Sequence, residues 1–154
     1  MLKNHVIRLF DYVNWANSRI LHQLQSLSGV PPKTIHLLEH VLSAEKIWLN
    51  RLVDDATSKI SAWPNSGLTE CDRLVRENRE NYNVFLASLS EQDMLNIVTY
   101  HSLIGDLYHN SILDILTHVY QHGSYHRGQI ASYLRNGGFE PVNTDYITFV
   151  REIS

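Results

Sequence analysis

The sequence has a single cysteine, Cys71, so no disulfide can form within the chain. A scaffold held together by bridges is thereby excluded, and a reducing compartment suffices. Four prolines and seven glycines in 154 residues are too few for a collagen-like or low-complexity chain. No apolar run approaches the roughly 18 residues that a bilayer span needs. The opening stretch, broken by Arg8 and Asp11, lacks the pattern of a signal peptide. There is no basic run either: 13 Lys and Arg stand against 16 Asp and Glu, a net charge of −3. Such a chain is poorly suited to gripping phosphate backbones, so neither nucleic acid nor membrane is expected as a partner. What remains is a chain that is 44 % hydrophobic, enough to bury a core. The expectation is one domain over residues 1–154, in the cytoplasm.

Apolar periodicity predicts four long helices. The first covers 3–28, with Val6, Phe10, Val13, Asn17, Ile20, Leu24 and Leu27 three and four apart. Gly29 and Pro31-Pro32 close it. The second runs from Lys33 to Asp54 and carries Leu37, Val41, Ala44, Trp48 and Leu52. A crossover loop follows over 55–68. Thr69 then offers an N-cap, with Asp72 three residues on, for a third helix ending near Ser88, with Leu74, Asn78, Tyr82, Phe85 and Leu89 inward. Ile97-Val98-Thr99-Tyr100 and Leu107-Tyr108, separated by Gly105-Asp106, suggest a short hairpin. The fourth helix spans Ser111 to Asn136, closed by Gly137-Gly138, and the tail packs back on the rest. The fold class is all-α, a four-helix bundle with a short irregular or hairpin segment before helix four.

One residue type is abundant. There are nine histidines, and His118, His122 and His126 stand at i, i+4, i+8. Imidazoles one helical turn apart can share a metal at bonds of about 2.0–2.1 Å. Ile112, Ile115, Val119, Ile130 and Tyr133 define the inward sector. His122 and His126 fall inside it, while His118 lies on the flank with Tyr125 and Gln129. A third ligand is expected from helix two, where His40 is on the inner face and His36 farther round. The proposed trio is His40, His122 and His126, with a coordination position left open. Gly123 lets another group come close. A histidine on an apolar face is more often a hydrogen-bonded core residue, and that reading competes with the metal. Glu45 reads as a surface residue or one behind the ligands. Asn17 reads first as bonding its neighbours across the core, Trp15 and Trp48 as packing residues, and Cys71 as a small buried hydrophobe.

Three strings carry a resemblance. They are Tyr12-Val-Asn-Trp15-Ala16-Asn17, His40-Val-Leu-Ser-Ala-Glu45-Lys-Ile-Trp48, and His118-Val-Tyr-Gln-His122-Gly-Ser-Tyr125-His126-Arg127-Gly128-Gln129. With the tail Gly138-Phe-Glu-Pro141 and Asp145, they resemble the DinB family of DinB/YfiT-like metalloenzymes, the damage-inducible bundle proteins. The resemblance implies an up-down-down-up four-helix bundle, usually a homodimer, with a divalent metal (zinc or nickel) on His40, His122 and His126. Some such proteins are S-transferases or isomerases that use low-molecular-weight thiols such as bacillithiol or mycothiol; many have no established reaction.

Two functions are therefore expected. One is a metal-dependent enzyme acting on a small molecule, by S-transfer from a thiol or by hydrolysis through a water whose pKa the metal lowers. The other is a non-catalytic metal-binding stress-response protein. Arg127 and His118 are candidates for contacting an anionic group, with a structural role as the alternative for both. A dimer interface is expected near Tyr12 and Trp15, whose aromatic surface exceeds what four packed helices need.

Overall fold

The computed structural model describes residues 1–55 and 59–154. Its elements are α1 (Leu2–Ser26), α2 (Pro32–Leu52), α3 (Leu68–Ser88), a 3-10 turn (Asp93–Leu95), β1 (Ile97–His101), β2 (Leu107–Ser111), α4 (Ile112–Asn136) and α5 (Tyr146–Ile153). The molecule is thus mostly helical, with one small sheet. The expected hairpin is present: β1 and β2 are antiparallel, with Ile97 opposite Ser111 and His101 opposite Leu107. α2 packs along α3 and α4, and α1 packs mainly on α3.

The helix limits follow local chemistry. Pro32 begins α2 itself, one residue before the expected start, because its fixed φ suits a first turn where no N–H partner is needed. α2 stops at Leu52, short of Asp54, which adopts a left-handed φ of 56°. Residues 56–58 of the expected crossover loop lie outside the described residues. Thr69 does not cap α3. Gly67 does, at φ 88°, and the carboxylate of Glu39 on α2 accepts from the backbone N–H groups of Ser66 and Gly67. Glu39 thus ties down the chain just ahead of α3, a contact from another helix that leaves no local motif to read. α4 begins as expected: the Ser111 hydroxyl accepts from the Asp114 N–H at 3.0 Å. The tail forms a helix, α5, which packs on α1. Phe85 is only partly buried, with Leu86 taking the core position, and Tyr133 is exposed.

α5 also changes the reading of the aromatics on α1. Tyr12 donates to the Thr144 carbonyl and stacks edge-on to Tyr146 at 5.3 Å. Trp15 meets Phe149 at 5.6 Å and donates its indole N–H to Glu152 at 2.9 Å. The chain's own tail covers this surface, so it offers no exposed patch from which to argue a dimer interface.

The apolar core falls into two main clusters. One gathers Phe10 of α1, Leu49 of α2, Leu86 of α3 and Leu116 of α4. The other gathers Leu24, Leu38, Leu74 and Ile130 from the same four helices. α1 and α4 pass from the first cluster to the second, and α2 and α3 pass from the second to the first.

Between the clusters lies a buried polar belt with one residue from each helix: Asn17, Glu45, Asn78 and Arg127. Arg127 Nη1 donates to Asn17 Oδ1 at 2.9 Å, and Asn17 Nδ2 donates to Glu45 Oε2 at 2.8 Å. Asn78 donates to the Leu42 carbonyl, and the Tyr82 hydroxyl donates to the Glu45 carbonyl. Gly123 makes room for this arrangement, since a Cβ there would lie 2.8 Å from Arg127 Nη1. The group that Gly123 admits is therefore a guanidinium of its own helix.

Burial pushes the Glu45 carboxyl up to about 7, against the opposing pull of the Asn17 hydrogen bond and of Arg127. Its unfolded pKa is near 4.5. Between these values the native chain holds a proton that the unfolded chain has lost, so stability falls as pH rises through that window and levels off above it. The slope is worth about 1.4 kcal/mol per pKa unit. Urea denaturation across this pH range is expected to show the wild type losing stability relative to Glu45→Gln, which cannot titrate. Parallel curves for the two proteins would contradict this assignment.

Candidate metal centre

On α4 the buried stripe is Val119, Gly123, Arg127, Ile130 and Leu134. His122 and His126 each sit one residue before a member of that stripe. They are carried to its edge, half-buried, rather than to its centre. α2 crosses that edge and presents His40, which is buried. The imidazole rings meet edge to face: His40 lies 4.8 Å from His122 and 4.7 Å from His126 between centroids, and His122 lies 4.5 Å from His126. One ring nitrogen from each residue lies within 4.8 Å of the other two. Three metal–nitrogen bonds of 2.0–2.1 Å in a tetrahedral arrangement require edges of about 3.3 Å. Modest ring rotation closes the difference, and the His40 Nε2–His122 Nε2 pair is already at 3.0 Å.

The outer nitrogens are also organised. His40 Nδ1 lies 2.6 Å from the Ala62 carbonyl, which can only accept, so that nitrogen carries the proton and Nε2 keeps its lone pair. His126 Nδ1 lies 2.7 Å from Gln129 Oε1, with the same consequence. Acceptors behind the ring are what orient metal-binding histidines. With His40 Nε2 unprotonated, the metal-free molecule must have His122 Nε2–H donating to it. Burial, followed by the neighbouring imidazoles, lowers the His122 pKa to about 4, and burial also lowers that of His40. His122 therefore stays neutral well below the ordinary imidazole range, and His40 is shifted in the same direction. The donor set thus fits a borderline transition metal such as zinc.

A model of the DinB family matches residues 1–152. The chain belongs to the DinB family. Among curated proteins, Protein DinB of Bacillus subtilis (strain 168) is 25 % identical over 163 aligned residues, covering 94 % of this chain and 93 % of that protein. The three strings that carried the resemblance thus sit within a match that spans almost the whole chain.

The other expected residues of this DinB-family chain divide clearly. His118 is exposed at the flank, its ring 5.6 Å from His122, and it is not among the converging nitrogens. His36 pairs with Glu39 at 3.3 Å and also stays apart. Glu45 is buried in the belt, so the surface reading of it fails. Asn17 bonds across the core, and Arg127 is 98 % buried in the same belt, unable to meet a solvent-borne anion. Cys71 is buried and its thiol is pushed up to about 12 by burial, which leaves it inert. Sequence reasoning missed two groups, both in the loop after α2. The Ala62 carbonyl orients His40, and the Trp63 ring stacks parallel on it at 3.7 Å. Only the Trp63-Pro64 pair, an aromatic in an otherwise polar loop, hinted at them. In the metal-free protein, NMR titration is expected to find the His122 ring protonating near pH 4. A midpoint near 6.5, the unperturbed value, would contradict the packed geometry.

Proposed function

We propose that this protein is a divalent-metal-dependent enzyme of the DinB type, with zinc or nickel on His40, His122 and His126, acting as a low-molecular-weight-thiol S-transferase. The observation that carries the metal reading is the convergence of three ring nitrogens with two of the outer nitrogens already committed to acceptors. The half-buried placement of His122 and His126 favours an open position over a closed structural site. When bound, the metal supplies Lewis acidity that favours the thiolate over the thiol. The protein's part is to bring the three imidazoles together and to orient His40 and His126 through their outer nitrogens, with the Trp63 ring covering one face of His40. The reaction so proposed forms a carbon–sulfur bond, releases the thiol proton to solvent and expels the leaving group of an electrophilic substrate.

The architecture belongs to the same proposal. The order in which the four long helices cross the two core clusters supports an up-down-down-up four-helix bundle. The homodimer is proposed on family grounds. No helix among the described residues is long and apolar enough to cross a membrane, which accords with a cytoplasmic place of action.

Two measurements test the reading. His40→Ala, His122→Ala and His126→Ala are each expected to lose most of the metal bound by wild type in elemental analysis, and His118→Ala to retain it; equal loss in all four, or in none, removes the trio. Adding a small thiol to the cobalt-substituted protein is expected to produce a sulfur-to-metal charge-transfer band. A spectrum indifferent to every thiol tried at millimolar concentration would turn the reading toward hydrolysis or a non-catalytic role.

A further inference from the structure

Two neighbours on α2, Glu39 and His40, hold the two ends of one short stretch of chain. Residues 62–67 run outside any helix or strand, up to the first residue of α3. At the start of the stretch, the Ala62 carbonyl accepts from His40 Nδ1 at 2.6 Å, and the Trp63 ring lies parallel on the imidazole at 3.7 Å. At its end, the N–H groups of Ser66 (3.0 Å) and Gly67 donate to one oxygen, Glu39 Oε1. Among the described residues, these two are the side chains of other elements that hydrogen-bond the backbone of this strap.

The two anchors differ in strength. Trp63 is 51 % exposed, and the cation over its ring, Lys33 Nζ at 5.0 Å, is a weak tether at such a surface. Glu39 is buried, and its bonds to two backbone N–H groups are charge-assisted, about twice as strong as neutral ones. Its other oxygen, Oε2, has no hydrogen bond among the described residues and only the His36 ring nitrogen beside it at 3.3 Å. Oε1 therefore carries the anchoring. A histidine that binds a metal through Nε2 needs Nδ1 committed to an acceptor behind the ring. For His40 that acceptor is a loop carbonyl, which is only as fixed as the loop.

We propose that Glu39 is a positioning residue for the metal centre: by holding Ser66 and Gly67 it fixes the strap whose Ala62 carbonyl and Trp63 ring orient the His40 imidazole. It acts through the strap and not on the ring itself. The proposal deepens the metal reading and rests on it where zinc is concerned.

Long-range nitrogen–proton NMR of the metal-free full chain at neutral pH reads which His40 ring nitrogen carries the proton. Wild type is expected to hold it on Nδ1; a ring protonated on Nε2 overturns the proposal. Glu39→Ala is expected to lose the Nδ1 preference and to move the His40 ring protons out of the shielding field of Trp63, while the Trp15 indole resonance beside α5 stays in place. Zinc affinity should fall with it by about tenfold or more, the range for a partner behind a metal-binding histidine. Glu39→Gln, which keeps an acceptor but not the charge, is expected to fall between. An unchanged tautomer and stacking in Glu39→Ala would show that Glu39 only anchors the start of α3, and would overturn the proposal. A wild type that takes up no zinc defeats the metal reading instead, and the tautomer comparison still decides the strap. Where the variant fails to fold, the wild type decides, because coupling between two binding events is reciprocal. Zinc is then expected to slow hydrogen exchange at the Ser66 and Gly67 N–H groups about tenfold more than at Asp114, whose N–H is held by Ser111 at the start of α4. Equal slowing at all three overturns the proposal.

Discussion

A guanidinium fully enclosed in a helical core has to be answered by hydrogen bonds, and in this protein the answer sets how the long helices lie against one another. Arg127 of α4 reaches Asn17 of α1, which reaches Glu45 of α2. Leaving any of these groups unmatched inside the core costs several kcal/mol. Apolar side chains on either side tolerate sliding far better than such a relay does, so the belt is what specifies the register of α2 against α4. A shift of α4 by one residue would bring a histidine or an exposed glycine to the place of Arg127.

The histidine cluster inherits that register. His126 immediately precedes Arg127, and His40 stands five residues before Glu45, so fixing the belt also fixes the approach of the two faces that carry the histidines. The chemistry is divided accordingly. The fully buried groups hold shape, while one ring nitrogen from each of the three histidines converges just outside them. The DinB-family match over nearly the whole chain is consistent with this division, because the matching strings include both the belt residues and the histidines.

Much of this was legible in the sequence. The long helices announced themselves through spacings of three and four, since each has an apolar stripe ending at Gly, Pro or a Ser cap. The trio His40, His122 and His126 followed from asking which histidines face inward, and the structure brings their nitrogens together. Legibility failed where the determining partner is distant in the chain. Arg127 reads as a solvent group unless Asn17 and Glu45 are known to surround it. The turn ahead of α3 is held by Glu39 from another helix, and the orientation of His40 depends on a backbone carbonyl in a loop. Tyr12 and Trp15 read as surplus aromatic surface because the tail, though expected to pack back, gave no sign that it would do so as a helix over these two rings.

The central claim is that three imidazoles hold one divalent metal with a position to spare, and X-ray absorption at the zinc edge of the loaded full-length protein tests it most directly. The account predicts three imidazole nitrogens at about 2.0–2.1 Å, with their outer-ring scattering, plus light oxygen atoms and no sulfur. A shell of one imidazole or none, a sulfur scatterer from Cys71, or a fourth protein ligand closing the site would contradict it.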